Sequence, residues 1–596
     1  MALSEIVLSL EHFRQVDWEK IIERCDRKGC ESYSHHFFEA AENEVATAQD
    51  VYEFLGHVTS PMLRSESNSE PFSPSSVMAD GSRSVILKDF SDQQLTLLKE
   101  LAPSIQDSEL RARVADILWE RNRDSQMAQL AISSYLESAQ RLEDPEHWFL
   151  PFQRVQRAVR IAARLGKDKP FLANVIEYVE NLLAKYQAED PLYFSAKLMQ
   201  LLQEQRFGDS TKYAKLAEKA ATSAELSSQW DRSREYWDVT GRWYALAKDT
   251  ENQRRVQVKI AETYVSEADA AVSNPSPSYM IAASCLQKAI EAYRRVGRVK
   301  ERLEELHKLL LEYQPQLLSE MKMFSHEVDL SNIVEHTLSH MRGKSFKDAI
   351  MRLALMGFPP SVESLRSQVQ EGLRNHPLQF MTSETLHSHT GKVVARKPSI
   401  ISNDPEESET ALQVSMLKHA VYQQMVHASG VVNPARYQIN LEHNVSVEDF
   451  AFIVMNNPFI PAGREMIYAR GLLDGLRGDF LISTHLLIPQ IEHSIRYLLE
   501  QKGCIVSGLD DRGIQEEHNI NVLIRRPELV EIFGEDIVFD LKGLLVHRFG
   551  TNLRNDMAHG LIGYNGFFTD GNAYLWWLVL RLCCVPIINL SQNSES

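Results

Sequence analysis

Between Asn552 and Gly560 the chain reads NLRNDMAHG, which sets an arginine, an asparagine and a histidine within one short polar run. A guanidinium fixes anions through paired N–H donors, an imidazole moves protons near neutral pH, and a carboxamide can hold either in place, so the trio points to phosphate chemistry. The same residues also fit the ordinary polar surface of a capped helical turn. Asn555 and His559 are four apart and are expected on one helical face. Arg554 is rotated away from His559, and converges on it only from the start of the helix or by wrapping its long side chain back. Gly550, Thr551 and Asn552 supply loop and N-cap residues, so the helix is predicted to begin near Leu553, with N-terminal N–H groups open to an anion.

A second polar set lies in LLIPQIEHSIRYLLEQKG, where Glu492 and Arg496 share a face of an otherwise apolar helix, with Gln490 and His493 beside them. Charges on the inner side of a helix are costly unless paired. Glu492 is therefore expected to bridge Arg496, or to orient Arg554 as a supporting carboxylate.

These segments must be positioned by a long, mainly α chain. At 596 residues it is too long for one core, and the size prior gives roughly three or four domains, fewer if part of it is a repeat array. Lys and Arg are outnumbered 64 to 81, for a net charge of -17, so any nucleic-acid contact is expected to be local. Six cysteines without a CxxC pair argue for a reducing compartment and against structural zinc. The N-terminus has no basic lead and carries Glu5 and Glu11 in its apolar stretch, unlike a signal peptide. AYLWWLVLRLCCVPIINL, from 573 to 590, approaches membrane-span length, but Arg581 and Pro586 interrupt it. It reads as a buried core helix, and the protein as cytoplasmic with no membrane contact.

Along the chain, residues 1–63 read as a small helical segment, and 64–84, crowded with Ser and Pro, as a flexible loop. From 85 to 318, helices such as RVQRAVRIAARLG and KYAKLAEKAATSAEL carry alanines at crossing positions, which predicts antiparallel hairpins stacked as an α-solenoid with a concave face for a protein partner. This array resembles tetratricopeptide-type repeats. Residues 319–440 read as a mixed connecting region with a short β-hairpin around Gly391, and 441–596 as a returning helical domain.

Other polar clusters favour plain readings. Asp510, Asp511, Glu516, Glu517 and His518 lack a regular ligand spacing and read as a solvated loop. His387 and His389 alternate on the hairpin without an evident third ligand. In the pair His336 and His340 the glutamate precedes the first histidine, unlike zinc proteases. No metal or cofactor is expected.

Taken together, HLLIPQIEHSIRYLLEQKG, NLRNDMAHGLI and LWWLVLRL resemble DUF4209, an HEPN-like family carrying an R-N-x-x-x-H motif, over roughly residues 440–590. The resemblance implies a HEPN-like helical bundle and a metal-independent endoribonuclease. His559 would exchange the proton of a ribose 2′-OH or of the leaving 5′-oxygen, Arg554 would neutralise the transition-state phosphate, and Asn555 would position either. Glu492 and Arg496 would support them. Because one histidine cannot act on both sides of an in-line displacement, it further implies a homodimer acting on RNA, with the repeats as sensor of a conditional toxin or antiviral effector. The competing reading is a non-catalytic helical-repeat scaffold whose C-terminal module dimerises or binds RNA.

Overall fold

A computed structural model of the chain describes residues 3, 6–78, 82–166, 170–322, 327–402 and 404–594, with side chains to 587. The protein is mainly α. Among the described residues the strands form three two-stranded antiparallel pairs: Met62–Leu63 with Phe72–Ser73, Glu384–His387 with Val393–Lys397, and Ser507–Leu509 with Gln515–Glu517. The chain divides into two compact units, Met1–Glu320 and Met321–Ser596.

In the first unit, helices Ser108–Asn122, Ser125–Arg141, Phe149–Leu165 and Pro170–Tyr186 each pack on the next, as do Ser210–Leu226, Trp230–Leu246, Thr250–Ser273, Tyr279–Val296 and Lys300–Leu317. Their starts are fixed by Asp107, Asp124, Asp209 and Asp249, whose carboxylates accept first-turn N–H groups. Alanines such as Ala128, Ala131, Ala158, Ala162, Ala217 and Ala221 are buried at the crossings. Residues 1–63 do not stand apart from the helices after them. Leu3, Phe54, Phe90, Leu98 and Leu118 share one core, and Tyr33 Oη donates to Asp107 Oδ2 at 3.1 Å. The Ser/Pro-rich stretch is anchored rather than loose over its described residues: Phe72 is buried, and Ser65 Oγ donates to Gln156 Oε1 at 2.8 Å. Residues 79–81 of that stretch lie outside the description.

The same unit holds a charged network that the apolar periodicity hides. Arg154 reaches Glu109, and Arg157 reaches Asp116 at 2.7 Å and Glu120 at 2.7 Å, with Arg154, Arg157, Glu109 and Asp116 all buried. Ser138 Oγ donates to Glu109 and Tyr135 Oη to Asp116. Three consecutive helices are thereby locked in one register.

The second unit has a main core running from Met341 to Cys584, so the expected connecting region, from Met321 on, and residues 441–596 belong to one unit. At its centre lies the helix Asp570–Ser594, buried from Ala573 to Leu580. Trp576 Nε1 donates to Leu472 O and Trp577 Nε1 to Leu353 O, both at 2.9 Å, which satisfies two indoles in an apolar setting. Gly475 makes the close crossing: a Cβ there would lie 2.1 Å from Trp576 Cδ1. Among the described residues no helix is long and apolar enough to cross a membrane.

Candidate functional site

The helix Phe480–Gln501 begins at Asp479, whose Oδ1 accepts the Ile482 N–H, and buries Leu487, Ile488, Ile491, Ile495 and Leu499. Glu492 and Arg496 sit at the margin of that face, their side chains 16% and 14% exposed. Glu492 Oε1 accepts the Ile520 N–H at 3.2 Å and lies 3.5 Å from Arg496 Nη2. Glu492 Oε2 accepts from Arg554 Nε at 3.2 Å. Arg496 Nη2 also donates to His518 O at 3.0 Å, and its Nε lies 3.1 Å from Glu517 Oε2. One carboxylate therefore ties together a helix, the segment before Ile520 and the arginine of the NLRNDMAHG turn. Of its neighbours, Gln490 is buried with Oε1 unpaired, and burial, then Arg464 and Arg496, push the His493 imidazole down.

The turn itself is set by close backbone contact. Gly550 lies against the end of the helix Glu535–Leu545, where an added Cβ would lie 2.0 Å from Gly543 O, and Thr551 N–H donates to that same oxygen at 3.0 Å. Asn552 then takes a left-handed conformation, φ +53°, and the helix Leu553–Ala558 follows. The asparagine side chains do the rest. Asn555 Nδ2 donates to Asn552 Oδ1 at 2.9 Å and to Val546 O at 3.2 Å. Its Oδ1 accepts from Asn521 Nδ2 at 3.2 Å and from Arg554 Nη1 at 3.3 Å.

The helix is only six residues long. Ending at Ala558, the helix leaves His559 at its C-cap, exposed, one turn beyond Asn555. Its N–H donates to Asn555 O at 3.0 Å, and no hydrogen bond of its ring is found among the described residues. So short a helix also lacks the extended dipole that would make its N-terminus an anion site. Asp556 occupies that first turn, its Oδ1 accepting from Asn552 Nδ2 at 2.8 Å. Burial raises the Asp556 carboxyl, against the opposing pull of Asn552, His559, His389 and Arg548. Arg548 Nη1 donates to Val394 O, which fastens the hairpin beside the turn.

The other polar clusters have local roles. The stretch expected as a solvated loop is the exposed hairpin Ser507–Glu517, and Asp510 Oδ1 closes its turn on the N–H groups of Arg512 and Ile514, both at 2.8 Å. His387 Nδ1 lies 3.0 Å from Gly391 O, and His340 Nδ1 lies 2.9 Å from His336 O on an exposed helix. Among the described residues no three His, Cys, Asp or Glu side chains are grouped to hold a metal.

Sequence reading missed Asn521 and the Ile520 N–H, which complete the cluster from 34 and 28 residues away. Nothing in HNINVLIRR marks either. The assembled groups can orient a guanidinium, leaving Arg554 Nη2 without a partner among the described residues, and can present a free imidazole one turn further on.

No curated protein matches the chain. The expected membership of residues 440–590 in the HEPN-like family DUF4209 is corrected: no match to that family is found, and the match that is found lies in the first unit. That match takes in the first helices of the expected tetratricopeptide-type array, for which no repeat family is found. What this chain is similar to, over residues 3–174 of its first unit, is a domain of unknown function, DUF7380.

Proposed function

We propose that the protein is a non-catalytic helical scaffold. In this reading the helices from Ser108 to Leu317 stack as an α-solenoid that presents a surface to a protein partner, and the NLRNDMAHG turn is a clamp inside the second unit. The observation that supports it is the engagement of the motif's own polar groups: Asn555 bonds to Asn552, Val546, Asn521 and Arg554, and Glu492 bonds to Arg554 and the Ile520 N–H. A guanidinium already matched to a carboxylate has less charge to offer a phosphate. Removing a clamp member leaves half-buried partners unmatched, so Asn555→Ala and Arg554→Ala are each expected to lower stability by about 1–2 kcal/mol. His559→Ala, at an exposed cap, is expected to stay within about 0.5 kcal/mol of the parent. Chemical denaturation of the three variants tests this, and full stability in both clamp variants sinks the reading.

A second reading is favoured by the exposed imidazole of His559, whose ring makes no hydrogen bond among the described residues, and by Arg554 Nη2, unengaged among them. Here the turn cleaves RNA without metal. His559 takes the proton of a 2′-OH, whose oxygen attacks phosphorus while the 5′-oxygen leaves with a proton from the His559 of a second copy, giving a 2′,3′-cyclic phosphate. Arg554 Nη2 meets the charge developing on phosphorus. RNA incubated with protein and chelator would then be cut by the parent and spared by His559→Ala; the same RNA pattern from both proteins would refute it.

A further inference from the structure

A cavity of about 700 Å³ in the second unit lies away from the NLRNDMAHG turn and has a different chemistry. It opens where the helix Pro405–His427 passes through a π-turn, Ala428–Val432, into the helix Asn433–Glu442. Such turns are uncommon and cluster at functional sites, because the extra residue swings the following side chains out of α-helical register. Those side chains are Asn433, Arg436, Tyr437 and Asn440, and with Arg477 and Leu338 they line the cavity. No Asp or Glu is in the lining.

Arg436 is 9% exposed and has no carboxylate partner among the described residues. Its Nε donates to Gly475 O at 2.7 Å, capping the helix Glu465–Arg477, and its Nη1 donates to Asn433 Oδ1 at 2.8 Å. The guanidinium carbon lies 4.6 Å from the centre of the Phe480 ring. A helix C-terminus offsets about half a charge at most, and burial lowers this guanidinium to about 10 with nothing acidic to oppose it. Nη2 makes no hydrogen bond among the described residues. Arg477, at the exposed rim, gives Nη2 to Val445 O at 2.8 Å and likewise has no ion pair among the described residues. Carboxylates beside the lining residues in sequence are engaged elsewhere: Asp570 accepts from Ser429 Oγ, Asp474 from Arg470, and Asp479 caps its own helix.

We infer that this cavity binds a nucleoside monophosphate, with the phosphate between Arg436 and Arg477 and the base against Tyr437. Two guanidiniums call for a doubly charged anion, which a phosphate monoester supplies and a single carboxylate does not. Tyr437, 66% exposed, offers a ring face to a flat base, and Leu338 supplies an apolar wall. Asn433 Nδ2 and Asn440 Oδ1 face its polar edge, since Asn433 Oδ1 is held by Arg436 Nη1 and Asn440 Nδ2 donates to Arg436 O and Leu476 O. The volume falls in the range of small-ligand sites.

The test is calorimetric titration of the full chain with AMP, GMP, CMP and UMP, beside inorganic phosphate and adenosine. At least one nucleotide is expected to bind in the micromolar range, and phosphate and adenosine each at least tenfold more weakly. Arg436→Gln is expected to abolish binding. Because Arg436 also caps a helix, the rim variants Arg477→Gln and Tyr437→Ala carry the decision, each expected to weaken binding tenfold or more with unchanged thermal unfolding. The inference is overturned if no nucleotide binds at millimolar concentration, if phosphate alone binds as tightly as the nucleotides, or if both rim variants bind like the parent.

Discussion

Asp540 gives the sharpest quantitative expectation. It is 1% exposed, and its carboxyl accepts from Gln424 Nε2 at 2.6 Å and Tyr574 Oη at 2.8 Å, with no cation in contact among the described residues. Burial pushes it up to about 7 from an ordinary 3.8; the two hydrogen bonds work the other way, and Asp536 adds to the rise. A carboxyl raised in the folded state contributes stability that is fully present below its unfolded value and is lost as pH climbs through its folded value. The gap between 3.8 and about 7 is worth roughly 4 kcal/mol, lost between about pH 4 and pH 7 and constant above. Asn is nearly isosteric and uncharged. Its carbonyl keeps the bond from Gln424, and its amide can donate to the Tyr574 oxygen. Asp540→Asn should therefore match the parent near pH 4 and exceed it by up to roughly 4 kcal/mol at pH 8. Native-state hydrogen exchange in the helix Asp570–Ser594, which carries Tyr574, reads the opening free energy of this unit alone. Stability differences that stay flat from pH 4 to pH 8 would refute the claim that Asp540 is a buried, uncompensated carboxyl.

The network of the first unit predicts the opposite pH response. Burial pushes Glu109 up, but Arg154 and Ser138 outweigh it and hold the carboxyl below its ordinary 4.5, so its contribution is present above that value and fades as pH falls. Arg154→Met should cost about 3–5 kcal/mol by stranding Glu109, and adding Glu109→Gln should restore part of it, measured by urea denaturation. Gly475→Ala should cost about 1–3 kcal/mol, because its methyl would meet the Trp576 indole; an unchanged thermal midpoint would contradict that crossing.

Helix positions were legible in this sequence because burial is one-sided. Apolar residues at i, i+3 and i+4, with an Asp before the first turn, mark Ser125–Arg141 and Ser210–Leu226 without reference to any partner helix. The start of the helix at Leu553 could be read from Gly550 and Asn552, though Asn552 turns the chain in a left-handed conformation without capping the first-turn N–H groups. Its end has a local signal too, which the four-residue spacing of Asn555 and His559 overlooks: Gly560 takes φ +66°, its N–H meets Met557 O at 3.0 Å and that of Leu561 turns back to Asp556 O at 2.8 Å, leaving His559 in solvent. The polar partners were harder still, because a hydrogen bond between Asn521 and Asn555 leaves no periodic trace in either segment. Glu492 was conspicuous as a charge in an apolar run, yet that signal says only that a partner exists. The buried arginines carry a fuller version of it: Arg154 and Arg157 are spaced on one face of an alanine-rich helix, and Glu109 and Asp116 on one face of another. Like Glu492, these charges on an apolar face say that partners exist, but not that helices separated by Ser125–Arg141 supply them. A motif of three polar residues predicts less, since an Arg, an Asn and a His can serve a reaction or hold a turn with the same spacing. What separates the two is which donors remain unengaged, and that is fixed by residues far away in the chain.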